Sequence, residues 1–164
     1  MTRNPTLNMY RMRKFAVNHA KAYNKIYAIL EKTLIKLDPL LSKVGYKPIE
    51  KPLTFVEKNI KGFLFDCKMC GQCVLSDTGM SCPMNCPKEL RNGPCGGVRP
   101  NGHCEVKPDM ICVWVEAVRG NKNMQITDSI LHVQLPIDHR LKGSSSWLRA
   151  ARKKRDVNFF KADI

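Results

Sequence analysis

The sequence predicts a mostly α fold with an irregular, cysteine-rich, metal-binding middle and at most a small β-hairpin. Three observations lead to this prediction. Apolar residues recur at steps of three and four in the first part of the chain. All eight cysteines lie between Cys67 and Cys112, and this stretch is rich in proline and glycine. Because it has few large apolar side chains, we expect bonds to its sulfur atoms to hold it together.

The chain is expected to form one compact unit with three parts. These are an N-terminal helical arm (1–66), a cysteine-rich metal-binding core (67–120) and a C-terminal extension with a basic helix (121–164). The net charge of +14 resides mainly in the two flanks. Solvated Lys and Arg side chains on helix faces explain it most simply, and an acidic partner or nucleic acid is the second explanation.

The apolar positions from 9 to 37 predict a single amphipathic helix, which Pro39 would stop. Its apolar stripe would either pack on the chain's own core or meet another subunit. Asp38 and Pro39 fit the N-cap and the first position of a short second helix, which Gly45 would end.

The segment that leads into the cysteines is predicted to be partly extended. Residues 46–53 contain two prolines and predict a connector without helix. Thr54 and Glu57 have the spacing of a capping box, so a short helix is predicted over residues 54–61.

Inside the core, two short elements are predicted. Pro87 would open a helical turn over residues 88–91. Residues 98–106 would form a small hairpin about Asn101 and Gly102, because Asn-Gly favours a tight turn.

A better helix is predicted at the end of the core. Pro108 would open it and Gly120 would stop it, so that Cys112 belongs to the helix. Residues 121–143 are expected to be loop with short strands. The serines at 144–146 would cap the final helix.

Cys67-x2-Cys70-x2-Cys73 is the sharpest local signal. Two-residue spacing lets a tight loop direct successive sulfur atoms into one concavity, which suits one face of a 4Fe–4S cluster whose fourth ligand is a distant cysteine. The bacterial ferredoxin pattern places another cysteine four positions after the third, where this chain has Asp77.

Zinc is the competing metal. Cys70-x2-Cys73 and Cys82-x3-Cys86 supply four thiolates in two close pairs, as a tetrahedral structural zinc site requires. Disulfides or free thiols are the third alternative. The N-terminus lacks the apolar core of a secretory signal, and no apolar run reaches the length of a membrane span. We therefore expect a cytoplasmic, reducing compartment, in which clustered cysteines favour metal.

The candidate metal ligands are thus all the cysteines of the core, and their division between sites stays open. No catalytic residue is predicted, because the sequence has no recognisable Ser/His/Asp arrangement and no phosphate-binding loop. The candidate ligands are Cys67, Cys70, Cys73, Cys82, Cys86, Cys95, Cys104 and Cys112.

Several motifs together resemble a known family, the cysteine-rich C-terminal domain of bacterial methylenetetrahydrofolate reductases. In some bacteria this domain is a separate small subunit beside the flavin-containing catalytic barrel. The resemblance covers residues 55–150, and the long N-terminal helix is similar to the small-subunit version. The motifs, in chain order, are CKMCGQC, SCPMNCPKELRNGPCGG, NGHCEV, CVWVEA and PIDHRLKGSSSWLR.

The resemblance implies that the eight cysteines are metal ligands. It also implies that a glycine-rich turn between ligands shapes the backbone around them, formed by Arg91, Asn92, Gly93, Gly96 and Gly97. It implies a structural or subunit-contact role for the SSSW motif, residues 144–147. Flavin and folate would belong only to the partner, a flavoprotein catalytic subunit. This chain would then be a non-catalytic or electron-transfer subunit of an oxidoreductase in one-carbon metabolism, either an electron relay or a structural centre.

A second hypothesis comes from another functional class, a zinc-organised module that binds nucleic acid or mediates a structural interaction. It predicts colourless protein and binding that weakens steeply with salt. The positive charge is not concentrated among aromatic residues near the cysteines, so nucleic acid is the less favoured partner.

Overall fold

The computed structural model describes residues 5–125 and 128–153. This part of the chain is mostly helical, and its cysteine-rich middle is irregular, as predicted. Three short 3₁₀ turns lie at Pro83–Asn85, Ser129–Leu131 and His139–Leu141. The five helices are α1 (Pro5–Asn18), α2 (Ala20–Val44), α3 (Tyr46–Phe65), α4 (Val113–Met124) and α5 (146–153).

The predicted single N-terminal helix is wrong at two points. It breaks at His19 between α1 and α2, and α2 continues through Pro39 to Val44. Proline inside a helix removes one backbone hydrogen bond but does not forbid the helix when packing supports it. Asp38 begins no second helix, because it lies inside α2; its buried carboxylate accepts a hydrogen bond from the hydroxyl of Tyr46 at 2.6 Å.

Gly45 ends α2 as predicted. Its φ of 87° lies in the left-handed region, and its N–H donates to the carbonyl of Leu41. The apolar stripe of α1 and α2 is only partly used inside the chain. Ala16 and Ala20 are fully buried, whereas Phe15 is 47% exposed.

The predicted extended connector over residues 46–53 is wrong, because these residues form the first two turns of α3. Pro48 lies in the first turn, where a backbone N–H has no helical acceptor, so the imino ring costs no bond there. The capping box is also wrong. Thr54 and Glu57 are inside α3, and Glu57 uses its carboxylate in a buried network described below.

The main apolar core joins the N-terminal helices to the cysteine-rich segment. Tyr23 and Tyr27 meet the ring of Phe65 edge-on, with centroid separations of 5.6 and 6.2 Å. Burial therefore supports this part of the segment, contrary to the expectation that sulfur bonds alone would hold it. The buried members are Ala16, Ala20, Phe65, Leu75, Met80, Cys82 and Met124.

The helix at the end of the core is displaced relative to its prediction. It begins at Val113, so Cys112 is its N-cap, and it passes Gly120 to end at Met124. Gly120 is needed for packing and not for termination. A Cβ atom there would lie 1.9 Å from the carbonyl oxygen of Gly79, so the two backbones touch.

The remaining predicted elements are smaller. Residues 88–91 are not helical; a turn at 87–88, closed by the N–H of Glu89 donating to the carbonyl of Cys86 at 2.9 Å, follows the 3₁₀ turn Pro83–Asn85. The hairpin is reduced to isolated antiparallel bridges, Val98 with Cys104 and His103 with Ile111.

The described part of 121–143 contains the end of α4, loop and two 3₁₀ turns but no strand. Ser145 caps α5, accepting the N–H of Leu148, as predicted. Within the described residues, no helix is long and apolar enough to cross a membrane.

Candidate metal centre

Four of the predicted ligands line one partly enclosed cavity. We call Cys67, Cys70, Cys73 and Cys82 the first cysteine group. The cavity has a volume of ≈ 20 Å³ and lies between the C-terminal end of α3, the loop that follows it and the start of α5. Cys82 is buried, Cys67 and Cys70 are half-buried, and Cys73 is exposed.

Left-handed backbone turns bring three of these cysteines, Cys67, Cys70 and Cys73, to the wall of one cavity. Asp66 ends α3 with a φ of 51°, Met69 follows with 50° and Gly71 with 75°. Gly71 has no room for a side chain, because a Cβ would lie 2.3 Å from the carbonyl oxygen of Leu141. The N–H of Met69 donates to Cys67 Sγ at 3.4 Å, which is the contact expected of a loop wrapped around thiolates.

Burial disfavours ionisation of two of these thiols, Cys67 and Cys82. It raises the pKa of Cys67 to about 11, although the Met69 N–H and Lys61 act in the opposite direction. Burial raises the pKa of Cys82 further, and the neighbouring thiols of the group add to the effect. Four thiolates in this cavity therefore need positive charge close by.

Two cationic side chains border the cavity, and Lys61 is the more deeply buried. Its side chain is 1% exposed, and Nζ donates to Glu57 Oε1 and to Ser146 Oγ, both at 2.6 Å. Burial lowers the pKa of Lys61, but the negative potential of Cys73 and Glu57 outweighs this, and the net shift is upward. Lys61 is thus held as a cation beside the first cysteine group.

The start of α5 encloses the carboxylate of Glu57. Ser145 Oγ donates to Oε2 at 2.6 Å, and the backbone N–H of Ser146 donates to Oε1 at 3.2 Å. The indole of Trp147 lies 5.1 Å from Lys61 Nζ, in cation–π range. The SSSW motif is therefore structural within this chain. Sequence reasoning missed the Glu57–Lys61 pair, although its i,i+4 spacing was a visible signal.

Arg91 is the second cation at the cavity, and it is incompletely paired. It is 9% exposed, and its Nη2 donates to the carbonyl of Gln72 at 2.7 Å. Its Nε and Nη1 are buried without a hydrogen-bond partner. An orphaned buried guanidinium is costly, so these two nitrogens need a hydrogen-bond acceptor that the described side chains and backbone do not supply.

The other four cysteines lie on adjoining turns and do not line this cavity. We call Cys86, Cys95, Cys104 and Cys112 the second cysteine group. Cys104 and Cys112 are buried, Cys86 is half-buried and Cys95 is exposed.

Backbone contacts bring three of these segments together. The N–H of Cys112 donates to the carbonyl of Gly102 at 2.9 Å, and the N–H of Glu105 donates to the carbonyl of Gly97 at 3.1 Å. Gly97 in turn donates to Cys95 Sγ at 3.4 Å. Cys86 follows the 3₁₀ turn Pro83–Asn85, and its N–H donates to the carbonyl of Pro83.

The structure does not gather the ligands around a single ion. Within residues 5–125 and 128–153, no three His, Cys, Asp or Glu side chains form a group that could hold one metal ion. All eight cysteines are free thiols, so no disulfide joins them. The iron–sulfur and zinc assignments, and the liganding role of each cysteine, stay predictions.

Comparison with known proteins identifies one family. Residues 46–140, more than half of the 164-residue chain, match the family model described as "Methylene-tetrahydrofolate reductase C terminal". The matched range contains every cysteine, Glu57, Lys61 and Arg91. No curated protein matches the chain, and no solved structure matches it.

Proposed function

The chain belongs to the methylene-tetrahydrofolate reductase C-terminal family, and on that premise we propose that it is a metal-binding small subunit of such a reductase. In this proposal it partners a flavin-containing catalytic subunit in the cytoplasm. The partner binds flavin and folate, and this chain serves as electron relay or structural centre.

One observation carries the proposal: the first cysteine group shares its cavity with a buried, under-paired Arg91. Thiolate-bound iron–sulfur clusters are anionic and accept hydrogen bonds at sulfur, so they match both the thiols and the orphaned N–H groups. A cubane 4Fe–4S cluster supplies one-electron transfer when bound. We propose Cys67, Cys70, Cys73 and Cys82 as its ligands.

The surroundings of the cavity also suit this role. Phe65 and Leu75 are at most 2% exposed and restrict water on the inner side of the first cysteine group. On the outer side, Cys73 is exposed and also lines a surface depression beside Tyr27 and Trp147. We propose that this depression is where the partner's flavin approaches.

The second cysteine group would hold a second metal, either zinc or a further cluster. Two of its members, Cys104 and Cys112, are buried, and their segments are held together by backbone hydrogen bonds. Thiolate ligation on such short turns is typical of structural sites. In this proposal the second group stabilises the fold and does not take part in electron transfer.

Anaerobic purification, with metal analysis and a visible spectrum, tests the proposal. We expect brown protein, iron and acid-labile sulfide, and co-purification with a yellow flavoprotein when the two are expressed together. Cys70→Ser should remove the visible absorbance, whereas Ser76→Ala, on the exposed surface nearby, should retain it. Colourless protein with zinc alone and salt-sensitive nucleic-acid binding would instead support the nucleic-acid module.

A further inference from the structure

We propose that the buried Lys61–Glu57 pair is a positioning element that sets the reduction potential of a cluster bound by the first cysteine group. This inference rests on the proposed function. Lys61 acts through its fixed positive charge, and Glu57 acts by holding Lys61 in place and by opposing that charge.

Charged side chains such as lysine and glutamate are seldom buried as completely as this pair is. Both side chains are 1% exposed, and both line the cavity that contains the four thiols. A buried ion pair gains little stability over well-packed apolar residues, because both charges lose their hydration. Folding alone therefore does not account for a lysine and a glutamate at this place.

The pair is also held more firmly than a simple contact requires. Nζ of Lys61 donates to Glu57 and Ser146, and it lies 5.6 and 5.1 Å from the ring centroids of Tyr27 and Trp147. The pKa of Lys61 is raised because Cys73 and Glu57 overcome the effect of burial, so Lys61 stays charged. A charge fixed in a dry environment acts strongly on neighbouring groups, since water does not screen it.

The effect on potential has a definite sign. One-electron reduction adds one negative charge to the cluster, and no bond or proton needs to change. Lys61 stabilises the reduced form and raises the potential, whereas the carboxylate of Glu57 destabilises it and lowers the potential. Removing one charge of the pair should therefore shift the potential in the opposite direction from removing the other.

Three variants of the full chain test this prediction by spectroscopically monitored dithionite titration under anaerobic conditions. Lys61→Met should lower the midpoint potential, since Ser145 and the N-terminal end of α5 still stabilise the Glu57 anion. Glu57→Gln should raise it. The double variant should lie between the two. A tenfold change in the ratio of reduced to oxidised cluster corresponds to 59 mV for a one-electron couple.

Lys58→Met is the matched control, because it removes the same charge from the exposed face of the same helix. Solvent screens Lys58, so the control should leave the potential close to that of the wild type. Should Lys61→Met fail to fold, Glu57→Gln alone still tests the pair, because an unchanged or lowered potential would contradict the proposal.

Two results separate failure of this inference from failure of the proposed function. If wild-type protein carries a cluster but both single variants shift its potential in the same direction, or leave it unchanged, the pair is purely structural. If wild-type protein carries no cluster, the proposed function itself is wrong and this inference falls with it.

Discussion

The first and second cysteine groups contain four cysteines each, but the charges around them differ. Lys61 pairs with Glu57 beside the first group, and both side chains are 1% exposed. Lys88 pairs with Glu105 beside the second group, and these side chains are 42% and 44% exposed. The Lys–Glu pair is therefore buried and shielded from water at the first cysteine group, and it is exposed to solvent at the second.

This difference bears on how each group can be used. Around the first group, burial and a fixed cation would let the protein control the charge of a bound cluster. Around the second group, water screens the ion pair, and backbone turns bring the sulfur-bearing segments together. Redox tuning is thus expected at the first group and structural support at the second.

Removal of metal is the strongest test of this comparison. We expect chelation to lower the thermal stability of the protein, with the largest loss of structure around the second group. Structural zinc contributes on the order of 10 kcal/mol to the folding of small domains. The first group should lose less structure, since Cys82 belongs to the larger apolar cluster with Phe65 and Met80, whereas Cys112 belongs to the smaller cluster with Trp114 and Ala117. Hydrogen exchange of the metal-free protein measures both regions, and equal protection would contradict the distinction.

The two ion pairs give the next largest effect. Lys61→Met leaves the carboxylate of Glu57 buried without its cation, and should cost about 3–5 kcal/mol in the free energy of unfolding. Lys88→Met removes a solvated charge, and we expect no measurable change. Urea unfolding of both variants measures the contrast. A loss in Lys61→Met as small as that in Lys88→Met would show that the buried pair contributes nothing.

The sequence predicted the broad fold better than it predicted the helix boundaries. Pro39 and Pro52 were taken as helix breakers, yet both lie inside helices whose packing outweighs the lost hydrogen bonds. Gly120 was taken as a stop, but its partner is Gly79, 41 positions earlier in the chain. Contacts of that range have no local signature.

The candidate site, like the fold, could be predicted from the sequence only in part. Spacing grouped Cys67, Cys70 and Cys73, and all three line one cavity, although no three such side chains in the described residues form a group that could hold one metal ion. It gave no reason to choose Cys82 over Cys86 as the fourth member of the cavity. The hydrogen bond between Ser145 and Glu57 joins residues 88 positions apart, so the tertiary structure was needed to find it.

The contact between Gly79 and Gly120 connects the first cysteine group to α4, and we expect a moderate effect from closing it. Gly120→Ala places a Cβ within 1.9 Å of a backbone oxygen, and such overpacking costs about 1–3 kcal/mol. Gly62→Ala, in α3, meets nothing within 4 Å and should stabilise the helix by up to about 1 kcal/mol. A lower melting temperature for Gly120→Ala and a higher one for Gly62→Ala would confirm that the two backbones touch at Gly120. Equal changes would contradict it.

The smallest expected effect concerns the cap of α5. Ser145→Ala removes a hydroxyl that both caps the helix and donates to Glu57, so it should cost about 1 kcal/mol in the free energy of unfolding. Ser145→Asp would restore the cap but bring a second carboxylate next to Glu57, and like charges in a buried site repel. We therefore expect Ser145→Asp to be less stable than Ser145→Ala, although aspartate is the better capping residue elsewhere. If urea unfolding gave the reverse order, Ser145 would act only as the cap of α5. The carboxylate of Glu57 would then not be enclosed as its hydrogen bonds indicate.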